Sequence, residues 1–145
     1  MPDTSARTVA STGERSCVFA KALLAHQATC ELAQFRAVGE RMLVECGSSH
    51  ARSHCAQFLA LLRDNARFAL HLQDDSKPLT HMQALRLQCG GLKALQAHLA
   101  SADTDAHRLV GYAQSRQDDL SALPWSALMP ALAAWKPPRR GRPPR

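Results

Sequence analysis

The sequence predicts an all-α protein, an antiparallel bundle of about four amphipathic helices with disordered N- and C-terminal tails. Three observations carry this expectation. Apolar residues recur at intervals of three and four through four successive segments. β-branched residues are scarce, with five valines and no isoleucine. Apolar residues make up 46% of the chain and aromatics only 5%, a balance that suits Ala/Leu helices and is too apolar for a wholly disordered chain. At 145 residues there is room for one domain with a modest core.

Residues 1–15, rich in Ser, Thr, Ala and Arg, read as a disordered lead-in. From residue 16 a helical domain is expected to run to residue 123. Its first stripe is Leu24, Ala28, Leu32, Phe35, Gly39 and Met42, about five turns of one helix ending near Cys46-Gly47-Ser48-Ser49. The glycine suits a helix C-terminus, and a serine suits the next N-cap. The second stripe is Ala51, Cys55, Phe58, Leu62, Ala69 and Leu72, stopped by Asp74-Asp75-Ser76-Lys77-Pro78. The third is Met82, Leu85, Cys89, Leu92, Leu95 and Leu99. Gly90-Gly91 in its middle costs roughly 1–2 kcal/mol against alanine, so a weak point or a close helix contact is expected there. The fourth, Ala106, Leu109, Ala113, Leu120 and Leu123, follows Ser101-Ala102-Asp103-Thr104.

Residues 124–135 form a short Trp-bearing segment. Trp125, Leu128, Met129, Leu132 and Trp135 give it an apolar face, while Pro124 fits a helix start and Pro130 a kink. This face is a candidate surface-binding element, because indoles favour an apolar–water boundary. The plainer alternative is that all these stripes are the core of a bundle or dimer, capped by the two tryptophans.

Residues 136–145 hold four prolines, so they form an extended arm rather than a helix. The formal charge is +6, and this arm carries five basic residues and no acid, leaving a nearly neutral body with 13 basic residues against 12 acidic. The body is therefore not itself a basic nucleic-acid-binding domain. No apolar run approaches the ~20 residues of a membrane span. The polar first sixteen residues lack the apolar stretch of a secretory signal. Five cysteines, an odd number set mostly in apolar segments, read as buried or inert thiols in a reducing cytoplasm.

Catalytic signatures are missing from the sequence: no Walker-type loop, dinucleotide fingerprint or nucleophile elbow. Asp74-Asp75 and Asp118-Asp119 have no partnering base at useful spacing, so a non-enzymatic protein is expected. Cys46, His50, His54 and Cys55 lie within ten residues, and the two histidines are one helical turn apart, a spacing that can share a divalent ion. Cys46, however, falls across the Gly-Ser-Ser break, and Cys55 points about 100° away from His54 on a helix. Exposed histidines beside a core cysteine are the favoured reading, and no metal or other cofactor is expected.

Two resemblances add to this. Arg139-Arg140-Gly141-Arg142-Pro143-Pro144-Arg145 resembles an AT-hook. The resemblance implies that Arg140, Gly141, Arg142 and Pro143 enter the narrow minor groove of A/T-rich DNA. It also implies that Lys136, Arg139 and Arg145 contact phosphates. Pro144 before Arg145 departs from the pattern, and a solubilising or RNA-contacting tail is the alternative. The body resembles the phasins, which coat polyhydroxyalkanoate granules in bacteria. The match rests on two junctions, Leu43 to Ser49 leading to Gln57-Phe58-Leu59, and Asp74 to Pro78 leading to Met82-Gln83-Ala84-Leu85 and Gln88. It implies a non-enzymatic cytoplasmic protein on a hydrophobic storage granule, whose basic tail contacts DNA. A nucleoid-associated or regulatory AT-hook protein built on a helical oligomerisation domain is the alternative, and a homo-oligomer is expected on either reading.

Overall fold

The computed structural model describes residues 15–72, 77–116 and 119–138. Among the described residues the fold is mixed α/β, which corrects the all-α expectation. Helix α1 (Ala20–Leu24) leads to a two-stranded antiparallel sheet of β1 (Ala33–Val38) and β2 (Arg41–Cys46). Four helices follow: α2 (Ser49–Ala66), α3 (His81–His98), α4 (Ala106–Arg116) and α5 (Trp125–Ala134), with a 3-10 turn at Leu120–Ala122 before α5.

The hairpin lies where the sequence predicts the end of a long helix. Its register pairs Ala33 with Cys46, Phe35 with Val44 and Ala37 with Met42, so these six apolar residues share one face. The opposite face carries Gln34, Arg36, Arg41 and Glu45, with Arg36 bonded to Glu45 at 2.9 Å. Apolar residues at positions 28, 32, 35, 39 and 42 fit a 3.6-residue period, but 33–38 and 41–46 fit a period of two as well. The turn decides between them. Gly39 has φ +62° between Val38 and Arg41, the first position of a two-residue hairpin loop, where glycine is the favoured residue.

Helix α1 stops early for a related reason. His26 adopts φ +60°, and the chain then turns so that Thr29 pairs with Asp105 in an isolated parallel bridge. The helices after the hairpin start where the sequence predicts, but α2 ends at Ala66, short of the expected Ala69 and Leu72, and α4 ends at Arg116, short of Leu120 and Leu123. Ser48 caps α2 by accepting from the Ala51 N–H at 3.2 Å. Thr80 and Gln83 form a capping box at the start of α3, which begins three residues after Pro78.

One core joins all of this. Phe19 and Ala22 from the α1 region, Phe58 and Leu62 from α2, Leu92 and Leu95 from α3, Leu109 and Ala113 from α4, and Leu128 and Leu132 from α5 belong to a single buried cluster. The Trp-bearing segment is thus part of the domain. At Gly90, α3 comes so close to α5 that a Cβ there would lie 2.7 Å from the Leu132 carbonyl oxygen; a Cβ at Gly91 would collide with the Leu62 side chain. The close helix contact expected at the glycine pair is present.

Candidate metal centre

The hairpin and the turns around it bring together residues that the sequence leaves scattered. Cys17, Cys30, Cys46 and Cys55 line one cavity, whose remaining walls are mainly Val18, Phe19, Leu32, Ala51 and Ala106. Arg52 and His107 complete it. Each thiol comes from a different piece of chain: the stretch before α1, the α1–β1 loop, the last residue of β2, and the second turn of α2. All four are free thiols.

Each position has a local cause. The chain before α1 runs beside β2, with the Cys17 N–H donating to Val44 O at 2.9 Å and the Cys46 N–H to Arg15 O at 2.8 Å. These bonds hold Cys17 next to Cys46. On α2, Ala51, Arg52 and Cys55 share the inward face, and Arg52 Nε donates to Ser16 O at 2.6 Å, pinning the same stretch. The Cys30 loop is stitched to the start of α4. Asp105, only 2% exposed, accepts from the Glu31 N–H at 2.6 Å through one carboxylate oxygen and from the Arg108 N–H at 3.0 Å through the other. The Thr29 N–H donates to Thr104 O, and the Ala106 N–H donates to Thr29 O.

The four cysteines are close enough to influence one another's ionisation. Burial pushes the Cys17 thiol up to about 11 and the Cys55 thiol up to about 12, and it raises Cys30 as well. The neighbouring thiols push in the same direction. The opposing influences are all groups that stabilise negative sulfur. The Phe19 N–H faces the Cys17 sulfur, and the Leu32 and His107 N–H groups face the Cys30 sulfur. Arg52 adds a cation near Cys17. The first turns of α2 and α4, carrying Ala51 and Ala106, supply two helix N-termini to the same wall. Burial outweighs these influences, so the Cys17, Cys30 and Cys55 thiols are protonated near neutral pH. Among the described residues no group of three or more His, Cys, Asp or Glu side chains is placed so that it could hold a metal ion.

The mixed His/Cys cluster considered from the sequence separates in space. His50 and His54 pack edge to face with ring centroids 4.4 Å apart on the outer side of α2, while Cys46 and Cys55 join the inner quartet. Cys89 is buried elsewhere, in α3. The sequence reading weighs Cys46 and Cys55 only with the two histidines and leaves Cys17 and Cys30 apart from them. It misses that these four cysteines occur within 39 consecutive residues, flanking every turn of the hairpin region.

The residues expected to bind a surface lie differently from that expectation. Leu128 and Leu132 are buried, and Trp125, Met129 and Trp135 are half-buried against the core, with Phe58 and Trp125 ring centroids 5.9 Å apart. Lys136 leaves α5 on an exposed, extended stretch with Pro137 and Pro138. Arg139, Arg140, Gly141, Arg142, Pro143 and Arg145 lie outside the described residues, as do residues 1–14. The first junction of the phasin resemblance is a strand-to-helix turn rather than a break between helices. The exposed large apolar side chains among the described residues are instead Leu24, Phe35, Val38, Met42, Phe68, Met82 and Tyr112, of which Leu24, Phe35 and Met42 surround a groove of about 430 Å³ that Cys30 also lines. No helix among the described residues is long and apolar enough to cross a membrane. No family model, curated protein or solved structure matches the chain.

Proposed function

We propose that Cys17, Cys30, Cys46 and Cys55 take up a soft metal ion, the side chains moving in around it from positions that do not by themselves form a metal site. The convergence of four thiols, from four different chain segments, on one largely apolar cavity carries the reading. Cys55 is buried and Cys17, Cys30 and Cys46 are partly buried. A soft cation binds them as thiolates: four metal–sulfur bonds form, four S–H bonds break, and four protons leave to solvent. The centre would cross-link the hairpin, the α1–β1 loop and α2. The test is the metal content of full-length protein purified without oxygen. Stoichiometric metal is expected in the wild type and in Cys89→Ala, and a loss of it in Cys17→Ser, Cys30→Ser, Cys46→Ser and Cys55→Ser. Metal-free wild-type protein, or metal kept by all four variants, overturns the reading.

A second reading draws on the surface. The exposed cluster of Leu24, Phe35 and Met42 and the solvent-facing Lys136-Pro137-Pro138 favour a non-enzymatic protein that adheres to a hydrophobic granule and reaches A/T-rich DNA with its tail. The AT-hook regulator is its DNA-only version. Imaging of a fluorescent fusion in bacteria with and without storage inclusions tests it: redistribution to inclusions is expected, and indifference to them overturns the granule part.

A further inference from the structure

Strand β1 has one open side. It pairs with β2 residue for residue, from Ala33 with Cys46 to Val38 with Arg41, and no other strand among the described residues lies against it. The register fixes which backbone groups are left over. The Gly47 N–H donates to Leu32 O at 2.8 Å, one step before the Ala33–Cys46 pair, so the even-numbered residues of β1 exchange their hydrogen bonds with β2. Ala33, Phe35 and Ala37 therefore point their N–H and C=O groups outward. The Ala33 N–H is taken by Cys30 O at 3.1 Å. The Ala33 C=O and both backbone groups of Phe35 and Ala37 have no partner among the described residues.

Edge strands are ordinarily blunted by a lysine or proline, a bulge, or a covering segment. The sequence Ala33–Val38 holds neither lysine nor proline, and its register runs unbroken. Its single charge, Arg36, is tied back to Glu45 at 2.9 Å. Residues 34–38 are exposed, Phe35 by 53%. A hairpin of two strands is marginal by itself, and a further strand on this side completes it.

The strand is also complementary to itself. A two-fold axis perpendicular to the sheet at Phe35 lays a second β1 antiparallel along the first and keeps like faces together. Phe35 then opposes Phe35 on the apolar face, with Ala37 opposite Ala33. On the polar face Gln34 opposes Arg36, whose guanidinium donates to the amide oxygen. The outward groups find partners as well: Phe35 N–H meets Phe35 C=O in both directions, and Ala37 N–H meets Ala33 C=O in both directions. Centring the axis on Arg36 instead would set two guanidiniums opposite each other. Centring it on Gln34 would set Arg36 opposite Leu32 and lose the aromatic pair. Charge and shape thus select one register.

We infer that β1 is a dimerisation edge: two copies of this chain pair antiparallel through Ala33–Val38, centred on Phe35, and join their hairpins into one continuous sheet. A second copy is the occupant because this one short strand supplies matched partners to itself on both faces and along the backbone.

The test uses full-length protein under reducing conditions, so that disulfides do not link the copies. Sedimentation velocity over a concentration series reads assembly, and amide hydrogen exchange reads where it occurs. A concentration-dependent dimer is expected. The Phe35 and Ala37 amides should gain protection as it forms, while Arg36 and Val38, bonded within the hairpin, stay protected throughout. Ala37→Pro removes an outward donor without touching the bonds to β2. Gln34→Arg sets like charges opposite across the dimer but faces Glu45 within the hairpin, so it keeps the test decisive should proline disturb the fold. Each should weaken dimerisation at least about tenfold, with far-UV circular dichroism unchanged. Phe68→Ser removes a side chain that is 89% exposed and lies outside the sheet, and it should dimerise as the wild type does. A monomer at every concentration overturns the inference and leaves the edge open to a foreign strand. A dimer whose Phe35 amide stays unprotected, one lost in Phe68→Ser, or one undiminished in folded Gln34→Arg overturns it too.

Discussion

Replacing Gly90 by alanine sets two opposed effects against each other at the α3–α5 crossing. Alanine is the better helix residue by about 1 kcal/mol, so propensity alone predicts a gain. The new Cβ, however, would stand 2.7 Å from the Leu132 carbonyl oxygen and 3.3 Å from both Leu132 C and Cα. These are backbone atoms, which cannot rotate away, so α5 has to move. Leu132 is wholly buried, and its displacement disturbs the core around it. Overpacking of this sort costs about 1–3 kcal/mol, and the rigid partner argues for the upper half of that range. The net expectation is a loss of about 1–2 kcal/mol. Gly111 provides the matched control: it lies exposed within α4, and a Cβ there meets nothing within 4 Å. Gly111→Ala should therefore stabilise by up to about 1 kcal/mol. Urea unfolding followed by far-UV circular dichroism measures both, and the two midpoints should move in opposite directions. If Gly90→Ala raises the midpoint as Gly111→Ala does, the steric argument is wrong.

Other expectations follow from the surface and the ion pairs. The Arg108 guanidinium, bonded at 2.7 Å, holds the Asp103 carboxyl down to about 2. A carboxylate depressed on folding stabilises above its unfolded pKa and loses that contribution as pH falls through its folded value. Wild-type protein should thus lose stability between about pH 4 and pH 2 more steeply than Asp103→Asn, as acid titration by circular dichroism will read; equal slopes would refute the pairing. Ending the chain at Trp135 should abolish binding to A/T-rich duplex DNA and remove its steep salt dependence, measured by fluorescence anisotropy. Unchanged affinity removes the DNA-contacting role of the tail. A Phe35→Ser/Met42→Ser variant should lose retention on hydrophobic beads with its melting temperature nearly unchanged, because both side chains are about half exposed.

The helical half of the molecule was readable because its periodicity had no competitor. Cys55, Phe58 and Leu62 of α2, and Leu85, Cys89, Leu92 and Leu95 of α3, are buried as their stripes predict, whereas Ala69 and Met82 of the same stripes are exposed and Leu87, Gln88 and Ala94 are buried outside them. In residues 28–46 two periods compete, and alanines and a glycine fill positions that satisfy both. Counting Gly39 as one more small residue on a helical stripe suppressed the hairpin, since its positive φ is what closes the two-residue turn. The cysteine quartet was lost with the hairpin. On a continuous helix, Cys30 and Cys46 lie sixteen residues or about 24 Å apart, and no common site could be drawn. Their meeting depends on a strand reversal and on Asp105, a residue 75 positions along the chain from Cys30. A pattern read in short windows cannot register contacts of that separation.

The Asp105 stitch also sets an order of events during synthesis. Three of the cysteines can meet as soon as the hairpin and the beginning of α2 have left the ribosome. The segment bearing Cys30 is fastened only when Asp105 and Arg108, some 75 residues later, have emerged to receive it. The four thiols are thereby gathered late: a nascent chain shorter than this leaves the Cys30 loop unfastened, and only one extended past Arg108 holds all four cysteines in place.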